Sequence, residues 1–193
     1  MSGAKILAFA GSLREGSLNK KLLALAAEGA REAGAEVTVI DLRDYPMPIY
    51  DGDLEVSDGI PENARRIQAL LEANDGLLIA TPENNYSLSA VLKNTIDWAS
   101  RPVDDHPSMH YFRGKTAALV SAAGALGGKI GMAHLRGILS VFQVMVIPEQ
   151  YGVVSAFREV DEYGNLTAEH EAPTKAVGAR LAQVVDLMVD DLE

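Results

Sequence analysis

Residues 6–19 constrain the fold more than any other stretch of this chain. An apolar run, Ile6-Leu7-Ala8-Phe9-Ala10, ends at Gly11, and the segment Ser12-Leu13-Arg14-Glu15-Gly16-Ser17-Leu18-Asn19 follows it. Beyond that, Leu22, Leu23, Ala26 and Ala27 recur at helical spacing. The pattern reads as a strand, a glycine-bearing loop and a helix. Such a loop aims backbone N–H groups and the positive end of the helix at one point. To these it adds the hydroxyls of Ser12 and Ser17, the Asn19 amide and the Arg14 guanidinium. Converging donors of this kind suit a dianionic phosphate. The competing reading is an ordinary turn with Ser17 as helix N-cap; four donor side chains after the first strand of an α/β pattern favour phosphate.

The spacing excludes two common relatives of this loop. Gly11 and Gly16 match the glycines of a Walker loop, but Ser17-Leu18 stands where Lys-Ser/Thr is required, so a triphosphate site is not expected. No G-x-G-x-x-G follows the strand, which removes the dinucleotide fingerprint. A monophosphate site remains.

The same alternation continues along the chain. Strands are expected at Lys5–Ala10, Glu36–Asp41, Gly76–Ala80, Thr116–Ser121 and Phe142–Ile147. Several are apolar almost throughout, as strands covered on both faces should be. Helices are expected at Leu18–Glu32, Pro61–Ala73, Ala90–Ser100, Ile130–Ser140 and Thr174–Leu192, the last with Val177, Leu181, Val184, Val185, Met188 and Leu192 on one face. Five βα units in this order predict an α/β, three-layer, doubly wound fold with a five-stranded parallel sheet of flavodoxin-like order 2-1-3-4-5. The stretches Arg43–Gly59, Arg101–Gly114 and Gly152–Glu169 read as long loops. In open sheets of this kind the ligand crevice lies beyond the carboxyl ends of the strands, so the loops after Ala10, Ala80 and Ser121 should meet there.

At 193 residues the chain suits one domain, residues 1–193, with no internal repeat or linker. No apolar run is long enough to span a bilayer, and the N-terminus leads into a strand with no signal-peptide pattern, so a cytoplasmic protein is expected. Lys and Arg number 17 against 27 Asp and Glu, a net charge of −10. That balance argues against nucleic acid or an anionic membrane as the main partner and asks for local positive charge at any phosphate site. There is no cysteine, so thiol redox chemistry, disulfides and thiolate metal sites are excluded, and any redox chemistry must be carried by a bound cofactor.

Two further loops carry chemistry. After the third strand comes Thr81-Pro82-Glu83-Asn84-Asn85-Tyr86-Ser87-Leu88-Ser89, followed by Leu92-Lys93-Asn94-Thr95-Ile96-Asp97-Trp98. Pro82 stiffens the turn, and Asn84, Asn85, Tyr86 and Ser87 offer donors and acceptors to a planar heterocycle. The alternative is an Asn-rich turn with Ser89 as N-cap; Lys93, Asp97 and Trp98 read as helix packing. After the fourth strand, Ser121-Ala122-Ala123-Gly124-Ala125-Leu126-Gly127-Gly128 is small enough to let backbone approach a flat ring, or is a plain strand–helix turn.

Taken together, Gly11-Ser12-Leu13-Arg14 with Ser17 and Asn19, then Thr81-Pro82-Glu83-x-Asn85, then Leu92-Lys93-Asn94-x-Ile96-Asp97-Trp98, then Ser121–Gly128, closely resemble the NADPH-dependent FMN reductase family. The nearest likeness is to its quinone- and chromate-reducing bacterial branch. The resemblance implies noncovalent FMN and a homodimer or homotetramer. It places Ser12, Arg14, Ser17, Leu18 and Asn19 at the phosphate, and Pro82, Glu83, Asn84 and Asn85 along the isoalloxazine. Ser121, Gly124 and Gly127 fall under the pyrimidine end. His134-Leu135-Arg136 resembles the following helix segment, with a structural or subunit-contact role. Two departures stand out. Pro82-Glu83-Asn84-Asn85 lacks the family's tyrosine, and Ser87-Leu88-Ser89-Ala90 replaces its Ser-x-Pro-Gly.

The implied reaction is a ping-pong hydride transfer from NADPH or NADH through FMN to a small acceptor, with no catalytic side chain required. The acceptor would be a quinone, an azo compound, chromate or free flavin. The alternatives are a flavodoxin-like electron carrier without its own NAD(P)H oxidation, a non-enzymatic protein that keeps the fold only, and a reductase that feeds reduced flavin to a monooxygenase. Arg101 and Arg113 are candidate cations for the pyridine nucleotide's phosphates, or surface ion pairs. Pro107 between His106 and His110 argues against a helical metal pair, and no metal site is expected. Asp51, Asp53, Glu55 and Asp58 read as a solvated acidic loop.

Overall fold

The computed structural model describes residues 3–190. Along the chain run β1 (Lys5–Ala10), α1 (Leu18–Glu32), β2 (Glu36–Ile40), α2 (Gly52–Asp58), α3 (Glu62–Glu72), β3 (Gly76–Ala80), β4 (Glu83–Asn84), β5 (Ser87–Leu88), α4 (Ala90–Ala99), β6 (Thr116–Ala122), α5 (Lys129–Val141), β7 (Met145–Val153) and α6 (Glu171–Asp190). Five strands form one parallel sheet in the order β2-β1-β3-β6-β7, the doubly wound order expected from sequence. None of the described helices is long and apolar enough to cross a membrane.

The pleat divides the core. Ile6, Ala8, Ala10, Leu78 and Ala80 face α1 and α6, where Leu22, Ala26, Leu181 and Val185 cover them. Leu7, Phe9, Leu77 and Ile79 face the other way, onto Ile67 and Leu71 of α3, Leu92 and Ile96 of α4, and Leu135 and Leu139 of α5. Both faces of the central strands are dry, which is why these strands read as unbroken apolar runs. Along α6, Val177, Leu181 and Val185 are buried as the periodicity predicts, whereas Met188 is exposed. Leu192 lies outside the described residues.

Helices α1 and α6 touch backbone to backbone. A Cβ on Gly29 would overlap the Lys175 carbonyl, and one on Gly178 would overlap the carbonyl of Ala26. The Lys175 ammonium closes the same contact, meeting Glu28 at 2.9 Å, Glu32 at 3.0 Å and Glu171 at 3.1 Å.

Three departures from the expected elements have local causes. The stretch 43–59 contains α2, started by Asp51, whose side chain accepts from the Asp53 N–H, and stopped at Gly59 with φ 78. This helix buries no residue, so it leaves no apolar period to read. The last strand runs from Met145 to Val153 rather than over Phe142–Ile147, because Phe142 caps α5 and Gln143 adopts φ 62. Its pairing with β6 shifts between Ala117 and Leu119, whose partners are Val146 and Gln150, so the chain bulges around Pro148, an edge position where a residue without N–H is tolerated. Third, the loop after β3 is a two-stranded hairpin, β4–β5.

The acidic stretch 51–58 is not simply solvated. Arg101 Nε donates to Glu55 Oε1 at 2.8 Å, and the Tyr50 hydroxyl donates to Glu55 Oε2 at 2.9 Å. Tyr50 packs edge-on against Trp98, and both the Trp98 and Asn94 side chains donate to the Pro48 carbonyl at 2.8 Å. The Arg101 hydrogen bond, ahead of burial's opposing effect and supported by Tyr50, holds the Glu55 carboxyl below its ordinary value. A depressed carboxyl stabilises the fold above its unfolded pKa and loses that contribution as pH falls through the folded one. Glu55→Gln is therefore expected to lower stability at neutral pH by about 1 kcal/mol, after discounting for the partly exposed guanidinium. The difference from the parent should shrink below about pH 4. Urea unfolding at the two pH values measures it.

Candidate functional site

The carboxyl ends of β1, β3 and β6 open into a cleft of about 480 Å³. One wall is the turn from β1 to α1, comprising Gly11 to Arg14 and Ser17 to Asn19. Ser17 occupies the N-cap position of α1 with φ −71 and ψ 123, yet its hydroxyl makes no capping bond. The first N–H groups of a helix lack intrahelical acceptors, so an uncapped start leaves them to a ligand. Ser12 Oγ lies 3.4 Å from the Arg14 N–H. Arg14 is exposed, is the one cation in the cleft wall, and forms no ion pair among the described residues. In a chain of net charge −10 this is where an anion finds local positive charge.

Asn19 does something else. Its Nδ2 donates to the Ala122 carbonyl at 2.8 Å and its Oδ1 accepts from the Ala122 N–H at 2.9 Å, both in buried surroundings. The amide thus clamps α1 to the end of β6. Gly11 sits at a second tie. Its N–H donates to Ala80 O at 2.9 Å, and its carbonyl accepts from Ser89 Oγ at 2.6 Å. Ser89 Oγ also accepts from Leu92 N–H at 3.3 Å, so the N-cap offered as the alternative reading of this loop is present on α4. A Cβ on Gly11 would stand 2.9 Å from the Leu92 Cβ, so the loop runs directly over α4.

Pro82, Glu83 and Asn84 form the facing wall, with Ala90 and Val91 behind them. The Glu83 carboxylate is turned away to α5, where Oε2 accepts from Ile130 N–H at 3.0 Å and Gly131 N–H at 2.9 Å. A carboxylate at a helix N-terminus is favourable there, and it fixes the hairpin on α5. Asn85 and Tyr86 make the hairpin turn with φ 49 and 62, a left-handed pair of the primed type. They line an adjoining pocket of about 480 Å³ with Gly124, Ala125 and Leu126, and Glu83 is common to both hollows.

The loop after β6 departs from expectation in detail. Ser121 is fully buried and its hydroxyl donates to Thr81 O at 2.6 Å, outside the cleft wall. Gly127, at φ 58, packs on the Gly152 backbone and is likewise outside it. The N–H groups of Ala122 and Ala123 are engaged by Asn19 and by Val153 O. In this loop the Gly124, Ala125 and Leu126 N–H groups have no backbone acceptor among the described residues.

Ala122, Ala123, Ala156 and Phe157 complete the wall. The last two lie in a stretch read only as loop. The turn that bears them is pinned by Ser155 N–H to Gly124 O at 2.8 Å and Ala156 N–H to Ala123 O at 2.9 Å. Phe157 is 66% exposed, and an aromatic residue in a polar loop was the one available signal. The two arginines read as cations for the pyridine nucleotide or as surface ion pairs do not line the cleft. Arg101 follows α4 and pairs with Glu55, and Arg113 precedes β6, at the amino end of the sheet. His134 Nδ1 lies 3.1 Å from Ser87 Oγ, joining α5 to the hairpin, and Lys93 pairs with Asp97 at 2.6 Å along α4.

The donor set fits an anion at one end and a flat, polar-edged ring at the other. This sheet order, with such a cradle on its first turn, defines the flavodoxin-like class of nucleotide-binding α/β proteins. Within it, the family model described as NADPH-dependent FMN reductase matches residues 4–158, and the chain belongs to that family. It is 37% identical over 170 residues to an NAD(P)H:quinone oxidoreductase of Solanum tuberosum, covering 86% of this chain and 84% of the relative. Likewise, it is 36% identical over 168 residues to a 2-hydroxy-1,4-benzoquinone reductase of a Burkholderia species, covering 86% of each. Among solved structures, the NAD(P)H:(acceptor) oxidoreductase FerB of Paracoccus denitrificans superposes with TM-score 0.69 at 29% identity, covering 97% of this chain and 96% of that one.

Proposed function

We propose that this protein is an FMN-dependent NAD(P)H oxidoreductase that reduces quinones. The observation that carries the reading is the uncapped start of α1 beside Arg14, which has no ion pair among the described residues, opening on a cleft at the carboxyl edge of the sheet. Bound FMN would supply the two-electron chemistry that a chain without cysteine lacks. Ser12, Ser17, Arg14 and the first amides of α1 would hold its phosphate. Pro82 and Asn84 on one side, and the Gly124 and Ala125 amides on the other, would orient its ring. Glu83, the one carboxylate in the wall, already accepts two N–H groups from α5, so the proton a reduced quinone needs would come from solvent. Pyridine nucleotide and quinone would use the open face by turns, giving ping-pong kinetics. Azo compounds, chromate and free flavin are further acceptors of the same face, and a homodimer or homotetramer is the expected assembly.

An anaerobic titration tests the reading. NADPH should bleach the flavin absorbance of FMN-loaded protein, and a quinone pulse should restore it. Flavin that binds but resists NADPH would instead make the protein an electron carrier. Asn84, at the wall where the family has tyrosine, is expected to tune the open face. Asn84→Tyr should change KM for quinone or nicotinamide by roughly 2- to 10-fold, the scale of one aromatic contact, while leaving the FMN dissociation constant within twofold. Steady-state kinetics beside a flavin titration separates the two effects.

A further inference from the structure

Away from the cleft, three ligand-bearing side chains meet where the segment after β7 closes on the start of α6. His170 is 8% exposed, and its Nδ1 lies 2.9 Å from the Tyr151 hydroxyl. The other ring nitrogen, Nε2, is buried and has no hydrogen-bond partner. It faces Glu159 Oε2 at 3.5 Å and Glu169 Oε1 at 3.6 Å. Charge-assisted hydrogen bonds are shorter, about 2.7–2.9 Å. By contrast, ligands about 2.1 Å from a tetrahedral ion stand about 3.4 Å from one another.

We propose that Glu159, Glu169 and His170 form a binding site for a divalent transition ion of the zinc class. One ligand atom from each of the three lies within 4.8 Å of the others. Tyr151 supplies the outer support. With its hydroxyl oxygen accepting from Nδ1–H, the arrangement a metal-bound imidazole requires, the Nε2 lone pair would be left for the metal. The carboxylates are set from the backbone, since Val160 and Leu166 bridge the segment and Thr167 N–H donates to Glu159 O at 3.1 Å. The Glu169 side chain is 69% exposed and that of Glu159 35%, so an ion and a fourth, water ligand enter from the carboxylate side. One imidazole with two carboxylates suits zinc, cobalt or manganese and disfavours calcium and magnesium, which prefer oxygen alone. A metal here would clip to α6 the segment that brings Ala156 and Phe157 to the cleft.

In a second trio, Glu72, His106 and His110, one ligand atom from each also lies within 4.8 Å of the others. Its imidazoles stack face to face at 4.0 Å and 15°, which sets their lone pairs side by side instead of converging. The test silences this trio with His106→Ala/His110→Ala in the full, FMN-loaded chain, then titrates metal-stripped protein with Co²⁺. Expected are one equivalent of cobalt with tetrahedral bands to the red of the flavin, displacement by Zn²⁺, and a rise in Tm with Zn²⁺. Glu159→Gln/Glu169→Gln, or Glu169→Gln alone if the pair does not fold, should weaken binding at least tenfold with the far-ultraviolet dichroism unchanged. No binding at millimolar cobalt, or equal binding by the glutamine variants, would overturn the proposal.

Discussion

Gly178→Ala is expected to destabilise the protein by about 3 kcal/mol, lowering Tm by roughly 6–12 °C for a chain of this size. Helix propensity alone predicts the opposite, because alanine is better than glycine inside a helix by about 1 kcal/mol. The sign is decided by the partner. The new methyl group would overlap the Ala26 carbonyl, with the Ala30 backbone nitrogen 3.0 Å away, and neither is the movable end of a side chain. Relief requires α1 and α6 to separate, opening gaps beside Ala26, Ala30 and Leu181. Gly29→Ala meets the Lys175 backbone in the same way and should behave alike. Calorimetric melting of the flavin-free variants measures both, and a Tm at or above the parent's would mean that the helices are not in backbone contact.

Arg14→Ala is expected to weaken FMN binding by roughly 10- to 150-fold, the loss of one charge-assisted contact worth about 1.5–3 kcal/mol. Arg14 is exposed, and its guanidinium has no protein partner among the described residues, so the Tm of the flavin-free protein should not move. The parent's affinity should also fall more steeply with salt than the variant's, since the lost term is a screened charge interaction. Fluorescence titration with FMN at two ionic strengths gives both numbers. An unchanged dissociation constant would remove Arg14 from the phosphate site and leave the helix N-terminus alone to hold it.

Elements buried on both faces were legible from sequence to the residue. The spans of β1, β3 and α1 agree with their apolar runs because most inward positions there are filled by Ile, Leu, Phe or Ala, with Asn19, Gly29 and Gly76 as the exceptions. Legibility fails where burial does. Helix α2 hides nothing, and the outer half of β7 is an edge that carries Pro148, Glu149 and Gln150. At the cleft, which loops meet followed from strand order, but which atoms face inward did not. Asn19 read as a ligand donor, and the resemblance placed Glu83 and Ser121 along the ring. Their partners lie 103, 47 and 40 residues away, at Ala122, Ile130 and Thr81, and no local pattern encodes such pairings. Of the two readings open for Arg101 and Arg113, the ion pair holds for Arg101 with Glu55, and neither residue lines the cleft: charge and loop position were visible, but the end of the sheet each loop occupies was not.

The ties at the strand ends bear on how a cofactor comes and goes. Asn19 to Ala122, Ser89 to Gly11 and Ser121 to Thr81 join the three loops to one another without help from a ligand. A wall assembled in this way is preorganised, so little conformational entropy is lost when it is filled. Binding strength would then rest on the contacts themselves, and the flavin-free protein is expected to keep the shape of the loaded one. Exchange of the cofactor becomes a matter of solvent replacing those contacts, with no need for the fold to loosen first.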